Sequence, residues 1–111
     1  MDNILVNKIV KILSDKKAED IKSIQTDELT IIADYFVIAT GTSNVHIRAL
    51  ADEVEKEMKN DGIAHKGVEG RVTGWILIDF GDVIVHLFLR EQREYYNLER
   101  LWSDANIIDF D

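Results

Sequence analysis

The residues best placed to do chemistry lie on a predicted β-hairpin. Trp75 to Phe80 and Val83 to Leu89 are two apolar runs joined by Gly81-Asp82, and a two-residue loop with glycine first favours a type II′ turn. This turn sets Phe80 opposite Val83, Asp79 opposite Ile84, Ile78 opposite Val85, Leu77 opposite His86, Ile76 opposite Leu87 and Trp75 opposite Phe88. One face then holds Ile76, Ile78, Phe80, Val83, Val85 and Leu87, which is unbroken core. The other mixes Trp75, Leu77, Ile84 and Phe88 with Asp79 and His86, which are diagonal neighbours. Two readings fit that mixed face. It is either a polar tether under a covering helix, or a docking patch in which Trp75 and Phe88 are anchors and Asp79 receives a cation.

Catalytic arrangements are poorly supported. The chain has no Cys, which removes disulfides, thiolate metal sites and thiol nucleophiles. His46, His65 and His86 lack metal-ligand spacing. Ser43, His46 and Asp79 can be written as a relay, but Ser43 falls at a predicted helix cap and no nucleophile elbow surrounds it. Gly41-Thr42-Ser43 precedes a helix, yet it is neither a dinucleotide fingerprint nor a P-loop. Asp79 and Asp82 are not alternate residues of one strand, so a two-metal nucleotidyl-transfer site lacks its geometry. No cofactor or metal is expected.

The elements that position these residues follow from pattern. Asp2 can cap a helix with Leu5, Val6, Ile9, Val10, Ile12 and Leu13 as its apolar stripe. A short polar strand is expected around Ile21 to Ile24, and Asp34 to Thr40 reads as a buried strand. Thr42, Ser43 or Asn44 caps a second helix with Ile47, Leu50, Ala51, Val54 and Met58 inward, ended by Asn60-Asp61-Gly62. A short strand near Ala64 to Gly67 and a glycine-broken loop to Gly74 precede the hairpin. Beyond it, Glu91 to Trp102 reads as short helical turns. Tyr96, Leu98 and Trp102 are expected to seal the sheet edge, Glu94 and Glu99 to stay solvated, and Glu94 and Tyr95 can line an interface rim. The predicted class is α/β (α+β): a single domain, residues 1–111, with a mixed sheet of four to five strands and two main helices.

Composition agrees with one folded unit. The 111 residues are 46% hydrophobic and 31% charged, with 6 Gly and no Pro, enough to bury one core. The net charge is -8, which disfavours broad binding to phosphate backbones. It is unevenly spread: residues 1–25 carry five Lys against four acids, whereas residues 79–111 carry eight acids against three Arg. A basic partner would be steered to the acidic end. The start has no secretory or organellar presequence pattern and no long apolar stretch occurs, so a cytoplasmic protein without a membrane segment is expected.

Several ordered motifs together resemble the ribosomal silencing factor family, RsfS, also called Iojap. They are Asp34 to Ser43 followed by His46 and Ala49, Val68-Glu69-Gly70, Trp75 to Asp79, Gly81 to His86, and Tyr96 to Trp102. The resemblance implies a fold distantly similar to nucleotidyltransferases but without their catalytic acids. It also implies a non-enzymatic translational repressor that binds the large ribosomal subunit through large-subunit ribosomal protein fourteen. Docking there blocks association with the small subunit, especially under nutrient limitation. The matching segments Trp75 to Asp79, Asp82 to His86 and Arg93 to Tyr96 become candidates for the partner surface: Trp75, Leu77, Asp79, Asp82, Ile84, His86, Phe88, Glu94 and Tyr95. The alternative is a nucleotide-using transferase built on Gly41, Ser43 and Asp79. A homodimer through the mixed face is possible when the partner is absent.

Overall fold

The computed structural model describes residues 4–27, 31, 33–70, 73–101 and 106–110. Helix α1 spans Ile4–Asp15 and buries Val6, Ile9, Val10 and Leu13; its expected cap, Asp2, lies outside the described residues. The helix ends in a Schellman motif: Lys17 takes a φ of 68°, and the Ala18 and Lys17 amides return to the carbonyls of Leu13 and Ser14 at 3.0 and 3.1 Å. Strand β1 (Glu19–Gln25) pairs antiparallel with β2 (Tyr35–Gly41) through an irregularity between Glu19 and Lys22.

Helix α2 (Asn44–Asn60) starts at Ser43, whose side chain accepts from the His46 amide, and buries Ile47, Leu50, Ala51, Val54 and Met58, the expected stripe. It ends as α1 does, with Gly62 at φ 81° and the Ile63 amide on the Met58 carbonyl at 2.9 Å. Strands β3 (Gly67–Glu69), β4 (Trp75–Asp79) and β5 (Val83–Leu89) follow, then helices α3 (Arg90–Tyr96) and α4 (Leu98–Leu101) and strand β6 (Asn106–Asp109).

Among the described residues the sheet has six strands in the order β3-β4-β5-β2-β1-β6. Among the described residues, β2 and β5 run parallel and the other four pairs are antiparallel. The hairpin pairs Trp75 with Phe88, Leu77 with His86 and Asp79 with Ile84, the register its turn dictates, and Gly81 holds the turn at φ 90°. Two expectations need correction. The strand placed near Ala64 to Gly67 runs Gly67–Glu69, because its position is set by pairing Gly67 with Asp79 and Glu69 with Leu77. The count of four to five strands becomes six, because Asn106-Ile107-Ile108-Asp109 is too short to show alternation yet pairs with β1.

Apolar side chains fill both faces of the sheet. On one, α1 and α2 close over Val37, Ala39, Ile76, Ile78, Val83, Val85 and Leu87. On the other, Ile24, Ala33, Phe36, Ile38, Ile84 and Phe88 form a second cluster, with Trp75, Leu77 and Leu98 packed against it. Helix α3 packs on β5 and β2. The second face is therefore largely closed by short helical turns.

Candidate partner-binding face

The second face grades from interior to solvent through a chain of ring contacts. Phe36 meets His86 edge-on at a centroid distance of 4.8 Å. Trp75 stacks on Phe88 at 5.0 Å and 24° and lies 4.6 Å from Tyr96. Tyr96 is T-shaped to Tyr95 at 5.1 Å. Exposure rises along this line: Phe88 is 1% exposed, His86 4%, Tyr96 48% and Tyr95 83%. Trp75 is half-buried, packed against the second cluster.

The candidate residues therefore divide. Trp75, Leu77 and Asp79 are half-buried, and Asp82, Glu94 and Tyr95 are exposed. Ile84, His86 and Phe88 are interior, so the expectation that Phe88 is a surface anchor is overturned: α3 and α4 roof a face that two long helices alone would have left open. Ile84, His86 and Phe88 can influence a partner only through the residues above them. Arg93 is also interior, at 5% exposure, because its guanidinium is committed to Asp20, Thr40 and Glu99. Glu99 is not solvated as expected; it takes Arg93 at 3.0 Å and Lys22 at 3.3 Å. Trp102 lies outside the described residues.

Asp79 and His86 do not pair. Asp79 Oδ1 instead accepts the Gly81 amide at 2.7 Å, which ties the carboxylate to the hairpin turn. The Trp75 Nε1–H donates to His86 Nδ1 at 3.1 Å. Burial lowers the His86 pKa from 6.5 to about 4, so the imidazole is neutral near pH 7. With Nδ1 accepting, its proton sits on Nε2, and that atom is buried without a hydrogen-bond partner among the described residues.

Of the side chains in the catalytic alternatives, Ser43 and His46 are engaged at the β2–α2 turn. Ser43 Oγ is occupied by the His46 amide at 3.0 Å. His46 Nδ1 takes the Thr42 amide at 2.9 Å, and its Nε2 meets the Lys16 carbonyl at 3.0 Å, a tie between the end of α1 and the start of α2. Among the amides at this strand-to-helix turn, those of Thr42 and His46 are engaged within it. Gly41 is required there for packing, since a Cβ would lie 2.5 Å from Ile47 Cγ2. Among the described residues no three His, Asp or Glu side chains gather in a group able to hold a metal ion, and no helix is long and apolar enough to cross a membrane.

Tyr96, expected to seal the sheet edge, also bridges Trp75 to Tyr95 while remaining half exposed. Three residues at and beyond the end of β3 were missed by pattern alone. Glu69, Gly70 and Thr73 join Trp75 and Leu77 around a shallow depression of about 220 Å³. The glycine-broken loop was the available signal, because Gly70 has a φ of 84°.

Comparison with known proteins gives a consistent picture. Residues 2–111 match the family described as ribosomal silencing factor during starvation, RsfS. A Bacillus subtilis protein named ribosomal silencing factor RsfS is 43% identical over 98 residues, covering 87% of this chain and 83% of that protein. A mouse protein named mitochondrial assembly of ribosomal large subunit protein 1 is 35% identical over 102 residues, which is 88% of this chain and 45% of that protein. The crystal structure of a Chromobacterium violaceum protein is similar with a TM-score of 0.86 at 37% identity, covering 93% of this chain and 88% of that one. The chain belongs to the ribosomal silencing factor family, RsfS.

Proposed function

We propose that this protein is a non-enzymatic translational repressor of the cytoplasm. It binds the large ribosomal subunit through large-subunit ribosomal protein fourteen and sterically blocks joining of the small subunit, especially when nutrients are limiting. The observation that carries this reading is the match of residues 2–111 to a family described by silencing during starvation. A mouse relative named for assembly of the large subunit supports that subunit as the partner.

The surface offered to the ribosomal protein is the rim of the second face: Trp75, Leu77, Asp79, Asp82, Glu94 and Tyr95, with Tyr96 completing it. Half-buried and exposed aromatics supply anchors, and the acids around them suit a basic protein. The same rim can pair two copies when the partner is absent, which dilution in light scattering would reveal. The decisive experiment adds purified protein to separated subunits and follows their association by sedimentation. Subunit joining should fall with added protein, and unchanged joining at saturation would overturn the reading. Tyr95→Ala, at a side chain that is 83% exposed, should weaken binding with the fold intact.

A further inference from the structure

His86 combines two features that a purely structural core residue does not need. It stands among Phe36, Trp75 and Phe88, a setting that an apolar ring would fill without leaving a polar atom unsatisfied. Yet it carries a buried Nε2 with no partner among the described residues, and orphaned buried polar atoms are rare enough to call for a reason. Among the described residues, the polar contact of the His86 side chain is the hydrogen bond from the Trp75 indole at 3.1 Å.

We propose that His86 is a positioning residue for docking, holding the Trp75 indole through Nδ1 in the orientation that meets the partner. The inference rests on the reading that Trp75 faces the ribosomal partner. Trp75 has two further restraints, stacking on Phe88 and contact with Tyr96, but ring contacts leave the indole able to slide or turn in its plane. A directional bond to Nδ1 fixes the remaining freedom. Without that acceptor, the half-buried indole N–H must find water, and the ring tilts outward to reach it. The partner then meets a Trp75 that has to be reordered on binding, which weakens affinity.

The experiment compares Trp75→Phe, His86→Phe, the double variant and His86→Asn. Binding to isolated large subunits is measured together with urea stability and the Trp75 indole N–H resonance, which is assigned by its loss in Trp75→Phe. Asn places an acceptor near the Nδ1 position, so it is the rescue variant. We expect His86→Phe to bind about tenfold more weakly at unchanged or higher stability near pH 7, with its indole resonance shifted. His86→Asn should recover both binding and the resonance. The double variant should bind no worse than Trp75→Phe, because His86 acts through Trp75. Loss of binding by Trp75→Phe with wild-type binding by His86→Phe would overturn the positioning role alone. Wild-type binding by Trp75→Phe would overturn the docking reading at this residue and the inference with it. Should His86→Phe fail to fold, His86→Leu takes its place, and failure of both would make His86 structural and sink the proposal.

Discussion

Arg93 Nη1 donates to Thr40 Oγ1 at 2.8 Å, joining α3 to the end of β2 across 53 residues of sequence. The same nitrogen reaches the Asp20 carbonyl at 2.6 Å, at the β1 irregularity where Asp20 takes a φ of 49°. Nε donates to Glu99 at 3.0 Å, and Lys22 shares that carboxylate. One buried guanidinium therefore fixes α3 against two strands and ties it to α4. The location of Tyr96 beside Trp75, and of Tyr95 beside Tyr96, is a consequence, since both tyrosines lie on the helix that Arg93 anchors.

Replacing Arg93 should accordingly cost stability and displace the rim. Arg93→Ala leaves the Thr40 hydroxyl and the Asp20 carbonyl without their donor and Glu99 with Lys22 alone. We expect a loss of about 3 kcal/mol, the scale for breaking a buried charged network from one side. Arg93→Lys keeps the charge but not the planar fork and should lose less, about 1 to 2 kcal/mol. Urea denaturation measures both; a change below about 0.5 kcal/mol for Arg93→Ala would contradict the anchoring role.

Acid should destabilise the fold through the second face. In the unfolded chain His86 takes up a proton near pH 6.5, but burial holds its folded pKa at about 4. Between those values the unfolded state binds more protons, so stability is complete above pH 6.5 and declines as pH falls toward 4. The decline amounts to about 3 kcal/mol. Burial pushes the Glu99 carboxyl up, yet the hydrogen bonds and charges of Arg93 and Lys22 together hold it below the usual glutamate value. Its contribution is likewise lost as pH drops through that lowered pKa. Urea midpoints taken from about pH 7 to about pH 4.5 should fall steeply in the wild type and less steeply in His86→Phe; equal slopes would exclude His86 as the source.

What the sequence made legible follows the range of the interactions involved. The hairpin register was readable because a two-residue turn and alternation are local, and the α2 stripe because helical spacing is local. The burial of Phe88 and Ile84 was not, since it depends on where the short helical turns after β5 fold back, which the helical spacing of Tyr96 and Leu98 does not decide. Arg93 illustrates the difficulty: a charged residue in a polar run reads as surface, and only its partners on β1 and β2, more than 50 positions away, make it interior. The Trp75–His86 bond was hidden for a related reason. The register placed His86 near both Trp75 and Asp79, and the choice between them was made by the Gly81 amide, which had already claimed the carboxylate.

Gly70 ties the β3–β4 loop directly to Trp75. It combines a φ of 84° with a position where a Cβ would lie 2.0 Å from the Trp75 carbonyl oxygen, an obstacle made of backbone that cannot rotate away. Gly70→Ala should cost at least about 2 kcal/mol and shift Trp75 fluorescence as the strand start moves. Gly67, with open space around its Cβ position, is the control; Gly67→Ala should stay within about 0.5 kcal/mol. Equal effects at the two positions would argue against the close approach.

The acid excess in residues 79–111, eight Asp and Glu against three Arg, bears on how a protein of charge -8 approaches an RNA-rich particle. Acids scattered for solubility would slow that approach, whereas acids beside the aromatic rim would draw one basic protein toward it. Asp82 and Glu94 are the exposed acids among the candidate rim residues. Asp82→Asn with Glu94→Gln should slow association with the large subunit several-fold at low salt while changing dissociation little. The difference should vanish near 1 M salt, where the screening length shrinks from about 10 Å to about 3 Å. Stopped-flow mixing across a salt series checks this. Faster association of the neutralised variant would mean that repulsion from phosphate outweighs attraction to the protein, and would move the steering residues elsewhere on the chain.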